Sequence, residues 1–135
     1  MNDSAYFVLV GHCSHDSGML SRVIQQACPG VRVASAHNRA EIASLAGPRV
    51  LLVNRALDGD FSVETGVDLI RQFATENAAP VMLLISNYED AQAAAVAVGA
   101  LPGFGKSQLQ QPATKQALVD ALQRASRAAN AVHEA

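Results

Sequence analysis

Three side chains that can bind metals or be oxidised lie close together near the start of the chain: His12, Cys13 and His15. Imidazole and thiolate groups are ligands for zinc or copper, so this segment could form a soft-metal or redox site, which His37 could join. The spacing His-Cys-x-His is not a standard zinc pattern, and loop histidines more often bind nothing. We therefore predict no cofactor and no resident metal. A sensor of a small ligand, a soft metal or redox state, built on these residues, is kept as the alternative to the main function derived below.

The common sequence motifs of enzyme chemistry are missing. The chain has no glycine-rich phosphate loop, no Gly-x-Ser-x-Gly segment and no paired catalytic carboxylates. We therefore predict a non-enzymatic protein.

Cys13 and Cys28 fall at opposite ends of a predicted helix, whereas a disulfide needs Cα atoms within about 7 Å. We therefore expect no disulfide between them and predict that Cys28 is a packing residue.

Length and charge narrow the class of protein. The 135 residues carry a formal net charge of −2, which fits one domain and argues against a nucleic-acid surface. The longest apolar runs, such as Val50–Val53 and Pro80–Ile85, have the length of strands, and no basic region precedes an apolar run at the N-terminus. We expect a cytoplasmic protein without membrane contact.

Five short apolar segments predict buried parallel strands. These strands are Tyr6–Val10, Val31–Ala36, Arg49–Val53, Val81–Ile85 and Leu101–Gly105, the last of them interrupted by Pro102 and two glycines.

A segment with apolar residues at helical spacing follows each strand. The predicted helices include Met19–Ala27 after a polar stretch, a helix from Asn38 to before Gly47, Gly66–Ala74, Glu89–Val98, and a last helix from Pro112 to about Ala131. Asn38 and Glu41 have the spacing of a capping box.

Strands and helices that alternate five times predict an α/β fold, a (βα)5 doubly wound parallel five-stranded sheet. We expect a single domain over residues 1–135, with a core of about residues 6–127 and a C-terminal tail that frays. Ligand chemistry in such a sheet lies beyond the carboxyl ends of the strands, so the residues just after each strand are the candidates for a site.

Three segments, in order and on the expected elements, resemble the receiver domain of response regulators, the CheY-like family. They are Arg49–Asn54 followed by Asp58-Gly59, the segment Gly66–Arg71 (GVDLIR), and Gly99-Ala100 with Lys106 seven residues after Gly99. The resemblance extends from about Tyr6 to Arg124. It implies a flavodoxin-like fold and a part in two-component (phosphorelay) signal transduction.

The resemblance places Asn54 at the position of the family's phosphate-accepting aspartate. An amide lacks the anionic oxygen that attacks a phosphoryl group. The family's acidic pair, which holds Mg²⁺, falls at Gly11 and His12, and neither is acidic; Asp16 lies too far along the chain to match simply. The sequence therefore resembles an atypical receiver, or pseudo-receiver, without aspartyl phosphorylation.

Ser86 and Lys106 complete the pocket that the resemblance implies. Ser86 corresponds, within a residue or two, to the family's Ser/Thr after the fourth strand, and Lys106 to its lysine. Ser107 stands where the family often has a cis-proline, and Gly103 stands at the aromatic switch position. Lys106 could pair with an anion, but we expect it to bind the Asn54 carbonyl or a backbone oxygen.

Asp58 and Asp60 could act as substitute phosphate acceptors. Aspartates beside glycine are more often solvated loop residues, and the missing Mg²⁺ ligands would impair any transfer, so we expect the structural role.

The resemblance also implies the kind of partner: a kinase, another regulator domain or an output domain. In receivers, the fourth helix, fifth strand and fifth helix often form a dimer surface. The alanine-rich segment Ala91–Val98 could contribute to such a homodimer or could simply pack closely on the sheet.

Overall fold

The computed structural model describes residues 4–134, with the side chains of residues 4–128. Five strands and five α-helices alternate: β1 Tyr6–Val10, α1 Ser14–Ala27, β2 Val33–Ala36, α2 Arg39–Ala43, β3 Arg49–Asn54, α3 Gly66–Ala74, β4 Val81–Ile85, α4 Glu89–Ala97, β5 Leu101–Phe104 and α5 Pro112–Glu134. A 3₁₀ turn, Lys106–Gln108, connects β5 to α5. All strand pairs are parallel, in the order β2-β1-β3-β4-β5, which confirms the predicted doubly wound, flavodoxin-like sheet.

The sheet is covered on both faces because its central strands are apolar on both faces. Every residue of β1 is buried, as are the four central residues of β3. One face packs against α1 and α5, and its core includes Phe7, Leu9, Leu52, Leu83, Leu20, Ile24 and Leu118. The other face packs against α2, α3 and α4, and its core includes Val8, Val53, Leu84, Ile42, Leu69, Ile70 and Ala95. These two layers hold the carboxyl ends of β1, β3 and β4 at one edge of the sheet.

Four predicted helices differ from the structure at their ends, α4 only by ending at Ala97 instead of Val98. α1 begins at Ser14, within the segment predicted to be a polar loop, because Cys13 is already the extended residue that precedes the helix. α2 ends at Ala43, short of the predicted stop at Gly47-Pro48. α5 continues to Glu134, beyond Ala131, and Ala135 of the predicted fraying tail lies outside the described residues.

Three strands, β2, β3 and β5, differ from the prediction by one or two residues. β2 begins at Val33, two residues later than predicted, and β5 ends at Phe104. β3 extends through Asn54, so this side chain belongs to the last residue of a strand and not to a loop.

Half of the predicted capping box forms at the start of α2. Asn38 Oδ1 accepts a hydrogen bond from the Glu41 backbone N–H at 2.8 Å. The Glu41 carboxylate accepts from the N–H of His37 at 2.6 Å, one residue before the cap, and not from the N–H of Asn38. The cap fixes His37 at the carboxyl end of β2, beside the site described below.

Within the described residues, no helix combines the length and apolarity that crossing a membrane requires.

Candidate functional site

The candidate site lies at the carboxyl edge of the sheet, where β1, β3 and β4 end beside the 3₁₀ turn. Asn54 is its central residue, because it ends the middle strand β3 and pairs in register with Ile85 of β4. Ligand sites of doubly wound sheets lie at this edge.

The Asn54 side chain bonds to the backbone on both sides of it. Its amide nitrogen Nδ2 donates to the carbonyl oxygen of Gly11 at 3.0 Å and to that of Ala56 at 2.8 Å. Both N–H groups of the amide are therefore used, and both carbonyl oxygens have a donor. An amide satisfies these oxygens in a way that a carboxylate cannot, because an ionised carboxylate only accepts.

Lys106 is held by an ion pair on the other side of Asn54. Its Nζ lies 2.6 Å from Asp16 Oδ2 and donates to Asn54 Oδ1 at 3.4 Å, so the expected bond to Asn54 is present. The two charged side chains are 27% and 22% exposed. Asp16 lies in the first turn of α1, where a carboxylate is also favoured by the helix dipole.

The ionised form of Asp16 is stabilised by its neighbours. The hydrogen bond from Lys106 lowers the pKa of this carboxyl most, partial burial acts against it, and a hydrogen bond from Cys13 lowers it further. Sequence reasoning set Asp16 aside as too far from the acidic pair. The early start of α1 at Ser14 brings its carboxylate back over the strand ends.

His12 is fully buried beside Asp16 and Lys106, so its ring is not available to a ligand from solvent. Its Nε2 lies 2.9 Å from the Leu52 carbonyl oxygen, which can only accept, so Nε2 carries the proton. Nδ1 has no hydrogen-bond partner among the described residues. Burial lowers the pKa of His12 from 6.5 to about 4; the Leu52 bond raises it, and Lys106 lowers it further. The ring is neutral at neutral pH.

Ser86 lies next to the site, but its hydroxyl serves the loop before α4. Ser86 Oγ accepts a hydrogen bond from the Tyr88 N–H at 3.1 Å. The residue that pairs with Asn54 across the strands is Ile85, which is buried in the core on the α1 and α5 side. An apolar side chain therefore stands beside Asn54.

The loop between β3 and α3, residues 55–65, covers the ends of β1 and β2. The Asp58 N–H donates to Gly11 O at 2.9 Å, and the Asp60 N–H donates to His37 O at 2.9 Å. Gly59 has a φ of 130°, and a Cβ there would overlap the His37 carbonyl. Phe61 anchors the loop in the core. Asp58 and Asp60 contribute backbone bonds to this cover, and both residues are exposed.

The histidine and cysteine candidates do not gather around one point. His12 is buried, whereas Cys13 and His15 are exposed, and the His37 ring bonds the Asp58 carbonyl at 3.2 Å. In the part of the chain that the structure describes, no group of three or more His, Cys, Asp or Glu side chains could hold a metal ion.

Comparisons with known proteins give fold matches only in solved structures. No protein-family model and no curated protein matches the sequence. The signal receiver domain of a DNA-binding response regulator from Colwellia psychrerythraea has a TM-score of 0.67 at 15% identity, over 90% of this chain and 99% of that one. The receiver domain of NtrX from Brucella abortus has a TM-score of 0.61 at 20% identity, over 89% and 96%. The fold is that of a receiver domain.

A third match is to a response regulator protein. A response regulator protein from Burkholderia pseudomallei is 26% identical to this chain, with a TM-score of 0.59, over 98% of this chain and 74% of that one. That protein is described with a phosphorylated aspartic acid, a calcium ion and citrate.

Proposed function

We propose that this chain is a receiver-fold module of two-component signalling that acts by protein contact, without catalysis and without phosphorylation of an aspartate at the end of β3. The observation that carries the proposal is the closed set of bonds around Asn54. Its two N–H groups bind Gly11 O and Ala56 O, and its oxygen accepts from Lys106, which Asp16 pairs at 2.6 Å.

These bonds would have to break before the site could bind the phosphoryl group and the divalent cation that phosphorylation requires. A phosphoryl group would have to compete with Asp16 for the ammonium of Lys106. A divalent cation would have to displace the Asn54 amide from the carbonyl oxygens of Gly11 and Ala56, and the nearby carboxylate of Asp16 is already paired with Lys106. Hard cations need several oxygen ligands, and carboxylates provide most of their affinity.

A magnesium titration followed by backbone amide spectra tests this part of the proposal. We expect the amide signals of Gly11, Asn54 and Ala56 to show no saturable shift up to millimolar Mg²⁺. Asn54→Asp serves as the comparison, because it places a carboxylate between the same two carbonyls. Saturable shifts at these three residues in the unsubstituted protein would overturn the proposal.

The partner surface that we propose is the face formed by α4, β5 and α5. On this face, residues of β5 and α5 line a groove of about 820 Å³, and they include Leu101, Pro102, Ala113, Ala117, Asp120, Arg124 and Arg127. Acidic and basic residues one turn apart on one helix are complementary to a second copy of the same helix related by a two-fold axis. We propose a homodimer through this face, or a signalling partner with a similar surface, in the cytoplasm.

Charge reversal on α5 tests the dimer independently of the phosphorylation claim. In sedimentation velocity we expect a concentration-dependent dimer, weaker in Arg124→Asp and recovered when Asp120→Arg is added to it. Lys115→Asp, on an exposed residue outside the groove, is the matched control. A monomer at every concentration would reject the dimer and leave the closed site in place.

A further inference from the structure

The pairing between β4 and β5 contains an irregularity that leaves backbone groups without strand partners. Leu83 pairs with Leu101 and Ile85 pairs with Phe104, so β5 has one residue more than β4 between the two pairs. The extra residue lies in the segment Pro102-Gly103, where Pro102 has no N–H to donate. The N–H of Gly103 and the carbonyl of Leu84 must therefore find other partners, because buried backbone groups are costly when unpaired.

The side chain of Gln92, in the first half of α4, supplies those partners. Its Oε1 accepts from the Gly103 N–H at 3.2 Å, and its Nε2 donates to Leu84 O at 2.9 Å. Nε2 also lies 3.1 Å from Ser86 O and 3.4 Å from Phe104 O. One amide side chain thus takes the place of the missing ladder bonds and ties α4 to both strands.

The geometry around Gly103 leaves no space for a side chain. A Cβ at this residue would overlap the Leu84 carbonyl and approach Gln92 Oε1 to 3.0 Å. This is the position at which the sequence resemblance places a mobile aromatic residue. Here the Gln92 amide fills the corresponding region with fixed hydrogen bonds.

Asn87 makes a second tie between the same elements. Its Oδ1 accepts from the Ser107 N–H at 3.1 Å and from the Ser107 hydroxyl at 2.9 Å. The loop before α4 is thereby joined to the 3₁₀ turn that carries Lys106.

We infer that Gln92 is a positioning residue that fixes α4 on the β4–β5 edge in one conformation. The outward side of α4, with Val96 44% exposed, and the preceding Tyr88, 58% exposed, are then presented to a partner without any phosphoryl signal. An amide suits this role because it has a donor and an acceptor at one end, whereas a carboxylate has only acceptors and a thioether has no strong donor.

Residue-resolved hydrogen exchange and ¹⁵N relaxation dispersion test the inference. In the unsubstituted protein we expect the Gly103 amide to be protected and residues 87–104 to show no millisecond exchange. Gln92→Met keeps the length of the side chain but loses its bonds, so the Gly103 amide should exchange about tenfold faster or more, with dispersion appearing in α4 and β5. Gln92→Glu should also loosen this edge, because its carboxylate faces three carbonyl oxygens.

Val23→Ala is the matched control, because it destabilises the core on the other side of the sheet. It should lower global stability without a selective change at Gly103. Unchanged Gly103 exchange in Gln92→Met, a change equal to that in Val23→Ala, or millisecond exchange across α4 in the unsubstituted protein would each overturn the inference. Phosphoryl incorporation and Mg²⁺ binding are measured separately, so this inference and the proposed function can fail independently.

Discussion

At the scale of single residues, the bonding of Asn54 explains why an amide and a carboxylate are not equivalent at the end of β3. Two carbonyl oxygens, from Gly11 and Ala56, point at the same nitrogen. A carboxylate in this place would put an anionic oxygen against both of them. An amide and a carboxylate at this position would therefore differ in the sign of a local interaction and not only in the presence of a nucleophile.

We expect Asn54→Asp to be destabilised by about 1 kcal/mol, since the carbonyl oxygens of Gly11 and Ala56 lose the Asn54 donor, while Gly11 O keeps its bond from the Asp58 N–H. Added Mg²⁺ at millimolar concentration should recover part of this loss in the variant. A cation can bind the new carboxylate together with the carbonyl oxygens of Gly11 and Ala56. Urea unfolding with and without Mg²⁺ measures both effects.

Asn38→Asp is the control for this experiment, because aspartate caps a helix as well as asparagine does. It makes the same change in charge and should show neither the loss nor the response to Mg²⁺. An Asn54→Asp variant as stable as the unsubstituted protein would contradict the bonding described for Asn54.

His12 gives stability a specific pH dependence. Its pKa is lowered to about 4 in the folded protein against 6.5 in the unfolded chain, so between these values only the unfolded chain binds the proton. Stability should therefore fall as the pH drops from about 6.5 to about 4, by about 3 kcal/mol from this residue. Denaturant unfolding at several pH values in this range measures the free energy of unfolding against pH. This dependence should be shallower in His12→Gln and unchanged in His15→Gln, which alters an exposed ring.

The sequence predicted which residues lie close together at this edge better than it predicted their bonding. Asn54 and Lys106 were found from the resemblance, and they do lie together. The sequence does not predict Asp16 as a site residue, because it lies several residues beyond β1 along the chain. The helix that begins at Ser14 nevertheless brings its carboxylate back over the strand ends. Gln92 gave no signal, because its role depends on an irregular strand pairing that apolar periodicity does not reveal.

At the scale of the elements, the long β3–α3 loop is a structural cover. Its backbone bonds to Gly11 and His37 close one side of the site, and Phe61, 1% exposed, holds it in the core. The loop length could be read from the sequence. The contacts of the loop with the strand ends could not be predicted, because they are hydrogen bonds between backbone groups, which every sequence has.

Removing the anchor should release the cover. We expect Phe61→Ala to cost about 3–5 kcal/mol and to speed exchange of the Asp58 and Asp60 amides beyond the global change. Phe73→Ala removes a similar side chain from the same core, on α3, and should destabilise without this selective effect. Equal protection of the two loop amides in both variants would show that the loop does not depend on Phe61.

The regular elements were the most predictable part of the structure. β1, α3 and β4 have the bounds expected from their apolar residues, because their central positions are buried on a continuous sheet. The ends of α1, α2 and β2 differed, since caps and turns there depend on single polar residues and on tertiary packing.

At the scale of the whole molecule, the carboxyl edge of the receiver-fold sheet is held by the protein's own side chains. Lys106 bonds both Asn54 and Asp16, the β3–α3 loop covers one side, and Gln92 joins α4 to the strands on the other. We therefore expect one conformation for signalling, available without a phosphodonor.

Incubation with acetyl phosphate and Mg²⁺, followed by intact mass measurement, tests most directly whether an aspartate at this edge is phosphorylated. We predict that the unsubstituted protein keeps its unmodified mass. A gain of one phosphoryl group, mapped by peptide mass to Asp58, Asp60 or any other aspartate at this edge, would contradict it.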